Sequence, residues 1–85
     1  MYRVVISKRA AKDLLSLPIP MVQKMHQAIR SLANDPRPAG CKKLVDSKEP
    51  LWRIRVGDYR IAYTIEDTVR VVDVRKVGHR KDIYL

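Results

Sequence analysis

The sequence predicts an α+β domain, a helical hairpin packed on one face of a mostly antiparallel sheet in the order β-α-α-β-β-β. Three observations carry this. Two alternating segments, Leu51–Val56 and Tyr59–Ile65, flank the dipeptide Gly57-Asp58, which marks a β-hairpin with a two-residue turn. Two stretches with apolar residues at helical spacing precede it and are split by Pro18. A nearly apolar run, Val69–Val77, follows, with the composition of a central strand buried on both faces.

In chain order, Tyr2–Ser7 is rich in β-branched residues and reads as a short strand. Ser7 is a good N-cap for a helix from Lys8 to about Leu17, whose inner stripe is Ala11, Leu14 and Leu15. Pro18 ends that helix, and Pro20 suits the first turn of the next. Val22, Met25, Ile29 and Leu32 continue at helical spacing, with Asn34 as C-cap and Asp35-Pro36 as the stop. His26 stands beside core position Met25 and reads as structural or surface. Lys42-Lys43-Leu44-Val45 reads as a short edge strand or an extended segment, and Asp46–Pro50 as a turn. Glu66-Asp67 reads as a second tight turn before the last strand.

The hairpin turn fixes register. It sets Val56 opposite Tyr59, Arg55 opposite Arg60, Ile54 opposite Ile61, Arg53 opposite Ala62 and Trp52 opposite Tyr63. Side chains alternate faces along a strand. Trp52, Ile54, Ile61 and Tyr63 therefore form a core face, and Arg53, Arg55 and Arg60 gather on the other. Like charges opposed across strands destabilise a sheet. The cluster has two readings, an anion-binding face or a solvated charged face, and the first explains why the repulsion is tolerated. If the Glu66-Asp67 turn is a simple two-residue one, Asp73 stands opposite Arg60 and neutralises it.

Composition bounds the rest. The 85 residues suit a single domain spanning 1–85 with a small core. Eighteen Lys and Arg against nine Asp and Glu give a formal net charge of +9, a strong bias toward nucleic acid, an acidic protein or an anionic surface. The single Cys41 forms no internal disulfide and fits a reducing cytoplasm. No apolar run is long enough to span a bilayer. A glycine-rich phosphate loop, an HExxH pair, paired cysteines and a nucleophile elbow are all missing, and the acidic residues are dispersed. No cofactor or metal is expected. Phosphodiester chemistry on such a chain is expected to use RNA's own 2′-hydroxyl, with arginines neutralising the developing charge.

Arginine donates two parallel hydrogen bonds to phosphate and keeps its charge. Arg75 and Arg80 follow the hairpin cluster in the last strand and tail. His79 and Tyr84 are the proton-handling groups nearest the basic face. His79 reads equally as a general acid or base or as an exposed tail histidine. Tyr84 reads equally as a phenol biased toward ionisation by guanidiniums or as an aromatic anchor for the C-terminus.

These pieces, in this order and spacing, resemble the RelE/ParE superfamily of type II toxins, specifically its RelE-like branch. The resemblance covers nearly the whole chain. It runs from Tyr2-Arg3-Val4-Val5-Ile6-Ser7 with Ala10-Ala11-Lys12-Asp13-Leu14, through Leu17-Pro18 and the Asp35-Pro36-Arg37-Pro38 segment with Gly40, Lys42 and Leu44. It continues through the hairpin Leu51–Tyr63 and ends in Val77-Gly78-His79-Arg80-Lys81-Asp82-Ile83-Tyr84. It implies a ribosome-dependent, metal-independent mRNA endonuclease that blocks translation, paired with a cognate antitoxin in a hetero-oligomer. Arg60 matches a phosphate-stabilising arginine, Arg80 an arginine that stabilises the transition state or leaving group, and Tyr84 a tyrosine that orients the substrate nucleotide. Arg53 stands where the family often carries a catalytic lysine, with Arg55 its basic neighbour. Lys42 and Lys43 join them as expected substrate contacts. Because arginine is a poor base, the resemblance leaves His79, or else Tyr84, as the expected proton acceptor. A gyrase-directed ParE-like toxin and a plain RNA-binding module are the alternatives.

Overall fold

In the computed structural model, which describes residues 1–44 and 50–79, two helices pack on one side of a five-stranded mixed sheet. The elements are β1 (Arg3–Ile6), α1 (Lys8–Leu15), α2 (Ile19–Ser31), β2 (Lys42–Lys43), β3 (Leu51–Val56), β4 (Tyr59–Glu66) and β5 (Val71–His79). Spatial order is β1-β5-β4-β3-β2. The pairings are antiparallel except that of β1 with β5, where Arg3 pairs Val71 and Ile6 pairs Val74. A parallel pair needs a crossover connection, and the helical hairpin with the strands after it supplies one.

Local chemistry explains the element ends. Ser7 caps α1 as expected, its Oγ accepting from Ala10 N–H at 3.1 Å. The same hydroxyl donates to Arg75 C=O at 3.1 Å, tying the cap to β5. Helix α1 stops at Leu15, two residues short of the sequence expectation, because Leu17 precedes a proline and is pushed out of the helical region. Helix α2 begins at Ile19 with Pro20 in its first turn. It closes at Ser31, before the expected Asn34 cap, with Leu32 turning into the core instead. The expected edge strand exists as Lys42–Lys43, paired with Arg53 and Trp52; Val45 and the Asp46–Glu49 part of the expected turn lie outside the described residues.

The β3–β4 hairpin has the register the turn dictates, from Leu51 opposite Thr64 to Val56 opposite Tyr59. Gly57 at φ +61° supplies the positive φ that such a turn requires at its first central residue. The second turn is longer than a two-residue one. Residues 67–70 connect β4 to β5, with Arg70 at φ +54°, so Val69 is exposed rather than part of the strand. Strand β5 carries a bulge: Ala62 pairs Lys76 while the next residue, Tyr63, pairs Val74, leaving Arg75 as the extra residue. Nor is β5 buried on both faces. Val72, Val74 and Val77 are buried, while Asp73 and Lys76 between them are only partly so. The helices cover a single face of the sheet, which leaves the alternate positions without an apolar layer to join.

The core lies between helices and sheet. It includes Ala10 and Leu14 of α1, Met25 and Ile29 of α2, Leu32, and Ile54, Ile61, Tyr63, Val72, Val74 and Val77 of the sheet. The Tyr63 hydroxyl donates to Pro36 C=O at 2.8 Å, and burial pushes this phenol's pKa well up. At the sheet's other end Arg37 grips Asp67 with two hydrogen bonds, at 3.2 and 2.9 Å, while the Tyr2 hydroxyl donates to the same carboxylate at 2.6 Å. These bonds hold the Asp67 carboxyl below its ordinary range and raise both Tyr2 and Arg37. Among the described residues, no helix is long and apolar enough to cross a membrane.

Candidate nucleic-acid interface

Directly paired residues share a face, so register maps the side of the sheet that the helices leave open. One row across it is Arg55, Arg60 and Gly78. The next is Lys42, Arg53, Ala62 and Lys76. Beyond these come Leu51, Thr64, Asp73 and Val5, and then Glu66, Val71 and Arg3. Cations therefore gather at the end of the sheet nearest the Gly57-Asp58 turn. In their midst stand Ala62 and Gly78, with little or no side chain.

Ala62 is only 1% exposed although it points away from the helices, and its cross-strand neighbours are Arg53 and Lys76. Long basic side chains lay their stems over apolar surface while their heads stay wet. In keeping with this, the Nε atoms of both Arg53 and Arg60 are shielded from solvent. Arg53 Nε has no hydrogen-bond partner among the described residues. A shielded donor without an acceptor costs free energy that a bound anion would recover.

The sheet brings together the expected substrate contacts Arg53, Arg55 and Lys42 with Arg60. Lys43 alternates to the other side and lies 6.0 Å from the Trp52 ring centre, with the Arg37 guanidinium at 5.0 Å from that ring. The longer second turn undoes the expected Asp73–Arg60 pair: Arg60 faces Gly78, while Asp73 faces Thr64 and accepts a hydrogen bond from Arg75 at 3.2 Å. Arg60 thus has Gly78, not Asp73, as its strand partner.

His79 is not on this face. It pairs with Tyr59 on the helix-facing side, the two rings meeting edge to face at 5.5 Å. They border a recess of about 280 Å³ at the margin of β5 beyond the end of β1, where Arg9, Asp13 and Ser16 of α1 complete the wall. There Asp13 Oδ2 accepts the backbone N–H of Val77 at 3.1 Å. Arg80 and Tyr84 lie outside the described residues. Lys76, which the sequence reading left unassigned, joins the cationic face because of the β5 bulge, and no local sequence signal announces that bulge.

The same fold and residue order occur in known toxins. A family model described as "ParE toxin of type II toxin-antitoxin system, parDE" matches residues 4–84. The chain belongs to this toxin family. Within it, the similar sequences carry RelE names. A Methanocaldococcus jannaschii protein that carries the name toxin RelE1 is 33% identical over 86 residues, covering 98% of this chain and 94% of its own length. Toxin RelE of Mycobacterium tuberculosis is 33% identical over 84 residues, covering 98% and 86%. Among solved structures, the toxin fold of the archaeal RelE-RelB complex from Pyrococcus horikoshii superposes with a TM-score of 0.81 at 31% identity, covering 93% of this chain and 94% of that one. The RelBE2 toxin-antitoxin complex of Mycobacterium tuberculosis gives 0.83 at 28% identity, covering 93% and 98%. As a member of this family the chain is a RelE-like toxin of the type II class.

Proposed function

We propose that this toxin is a ribosome-dependent mRNA endonuclease that acts without a metal, and that its cognate antitoxin is a small protein that covers the helices and the basic face. The observation that carries the nuclease reading is the shielded Arg53 Nε, without a hydrogen-bond partner among the described residues, on a face shared with Arg55, Arg60 and Lys76. A phosphodiester seated there would accept from several guanidiniums at once, and their charge would be felt most as the phosphorane forms. The nucleophile is the RNA's own 2′-hydroxyl. Arg60 stabilises the phosphate, Arg80 the leaving group, and Tyr84 orients the nucleotide.

The antitoxin reading has a second support. An apolar cleft of about 380 Å³ opens between α1 and α2, lined by Leu14, Leu15, Ile19, Val22 and His26 among others. Leu15 is 87% exposed and Ile19 78%. An amphipathic helix would cover them, and acidic residues on it would complement the net charge of +9. The structural relatives from Pyrococcus horikoshii and Mycobacterium tuberculosis are themselves toxin–antitoxin complexes.

The deciding experiment maps 5′ ends on mRNA held in a programmed ribosome. The expected result is cleavage in the A-site codon leaving a 2′,3′-cyclic phosphate, and loss of roughly a hundredfold or more in rate for Arg60→Ala. Growth arrest with DNA damage signalling and intact mRNA would replace this reading with the gyrase-directed one. Binding of RNA without a cut would replace it with a plain RNA-binding role.

A further inference from the structure

Cleavage by the 2′-hydroxyl needs a group on the cationic face that accepts its proton. Arginine cannot serve, since it holds its proton throughout the accessible range. His79 stands on the helix side of the sheet beside Tyr59. Asp73 is two rows from Arg60 and accepts from Arg75. Lys42 sits on a two-residue strand at the sheet's rim. Among the described residues of this face, that leaves Lys76 of β5, directly across β4 from Arg53.

We infer that Lys76 is the proton acceptor of this site, its Nζ taking the 2′-hydroxyl proton of a nucleotide whose phosphate lies against Arg53 and Arg60. The inference rests on the nuclease reading above. Its structural basis is the juxtaposition of Lys76 and Arg53 on opposite sides of Ala62, in the row that also adjoins Gly78. Strands are about 4.8 Å apart, so the backbones of Arg53 and Lys76 stand roughly 10 Å apart across β4. Only the buried Ala62 stands between them in the row, so a sugar–phosphate unit lying over it would meet the head groups of both. The β5 bulge makes this possible. In a continuous ladder, Arg75, not Lys76, would stand opposite Ala62. A lysine in that place also differs from an arginine in kind, because an amine surrendered of its proton is a base and a guanidinium stays an acid.

The step balances without a further reagent except solvent. The 2′ oxygen forms its bond to phosphorus as its proton passes to Lys76 Nζ. The bond from phosphorus to the 5′ oxygen breaks, and that oxygen leaves with a proton from water. The products are a 2′,3′-cyclic phosphate and a 5′-hydroxyl, and the lysine returns its proton to solvent.

The test is single-turnover cleavage of A-site mRNA on a programmed ribosome, with ribosome binding and thermal melting measured for each protein. Lys76→Arg keeps the charge and removes the base. It should bind ribosomes as the parent does, melt at the parent's temperature and cleave about a hundredfold or more slowly, the usual size of a general-base effect. Adding Arg53→Lys to Lys76→Arg puts an amine on the other side of Ala62 and should recover at least a tenfold part of that loss. A Lys76→Arg protein that cleaves at the parent's rate overturns the inference while leaving the nuclease reading intact. So does a loss of cleavage matched by an equal loss of ribosome binding, which makes Lys76 a phosphate contact only. If the parent itself makes no cut, the nuclease reading falls first, and the role of Lys76 with it.

Discussion

Arg60 and Ile61 are neighbours on one strand, yet they belong to different worlds. Ile61 is fully buried against the helices, while Arg60 faces a helix-free surface among other cations. The same contrast runs along the sheet: Ile54 beside Arg53 and Arg55, Val77 beside Lys76. The helix-facing side holds the fold together by apolar burial, at roughly 25 cal/mol per Å². The open side adds like-charge repulsion that this burial must offset. A protein of 85 residues has only a modest core. That it carries a cationic cluster on the open side accords with the proposed binding of an anion there.

Substitutions on the two sides should therefore separate stability from activity. The largest effect belongs to the core. Ile61→Ala should cost about 2–5 kcal/mol of unfolding free energy, measured by urea titration, and much of the population of a domain this size would be unfolded. Arg60→Ala, one residue away, should change stability by about 0.5 kcal/mol or less, or raise it, as the repulsion eases. An Arg60→Ala loss as large as that of Ile61→Ala would break the contrast between the sides.

Next in size is Tyr63→Phe, which leaves the Pro36 carbonyl without its donor and should cost about 1–3 kcal/mol. It also has a pH signature. Tyr63 has its pKa raised in the fold, so its neutral form favours folding; that stability is complete below the ordinary tyrosine pKa of 10.0 and is lost as pH rises beyond it. Thermal melts at increasing alkalinity should therefore show a steeper loss for the parent than for Tyr63→Phe. Gly57→Ala comes third. The space beside Gly57 admits a methyl, with Met21 Cε at 3.6 Å, so the cost is that of a non-glycine residue at φ +61°, roughly 1–2 kcal/mol.

The smallest effect is expected at the exposed Arg37–Asp67–Tyr2 cluster. Asp67 has a lowered pKa, so its contribution is present above the ordinary value of 3.8 and is lost as pH falls through the value it has in the fold. Asp67→Asn should flatten the acid limb of a melting-temperature profile below about pH 4 and leave neutral pH nearly unchanged, since exposed ion pairs contribute little. A large loss at neutral pH would show that this cluster, which joins β1, the loop after α2 and the β4–β5 turn, is a structural clasp on a par with the core.

Much of this molecule was determined by local sequence. Gly57-Asp58 permits essentially one hairpin register, so the facing of Arg53, Arg55 and Arg60 away from Ile54 and Ile61 follows from counting residues. Ser7, Pro18 and Pro20 bound the two helices through caps and missing N–H groups, which are local matters. What the chain could not announce lies in β5. Four residues rather than two make its turn, the strand carries a bulge at Arg75, and β1 joins it in parallel from far away in sequence. Those choices came from packing: Val72, Val74 and Val77 all had to reach the helix side, and an extra residue between Val74 and Val77 is what lets them. The consequences fall on the open face. Asp73 was carried away from Arg60, Lys76 was brought into its row, and His79 was left on the far side. The tertiary structure alone decided these, because the position of a residue opposite a distant strand depends on which side chains the core will accept.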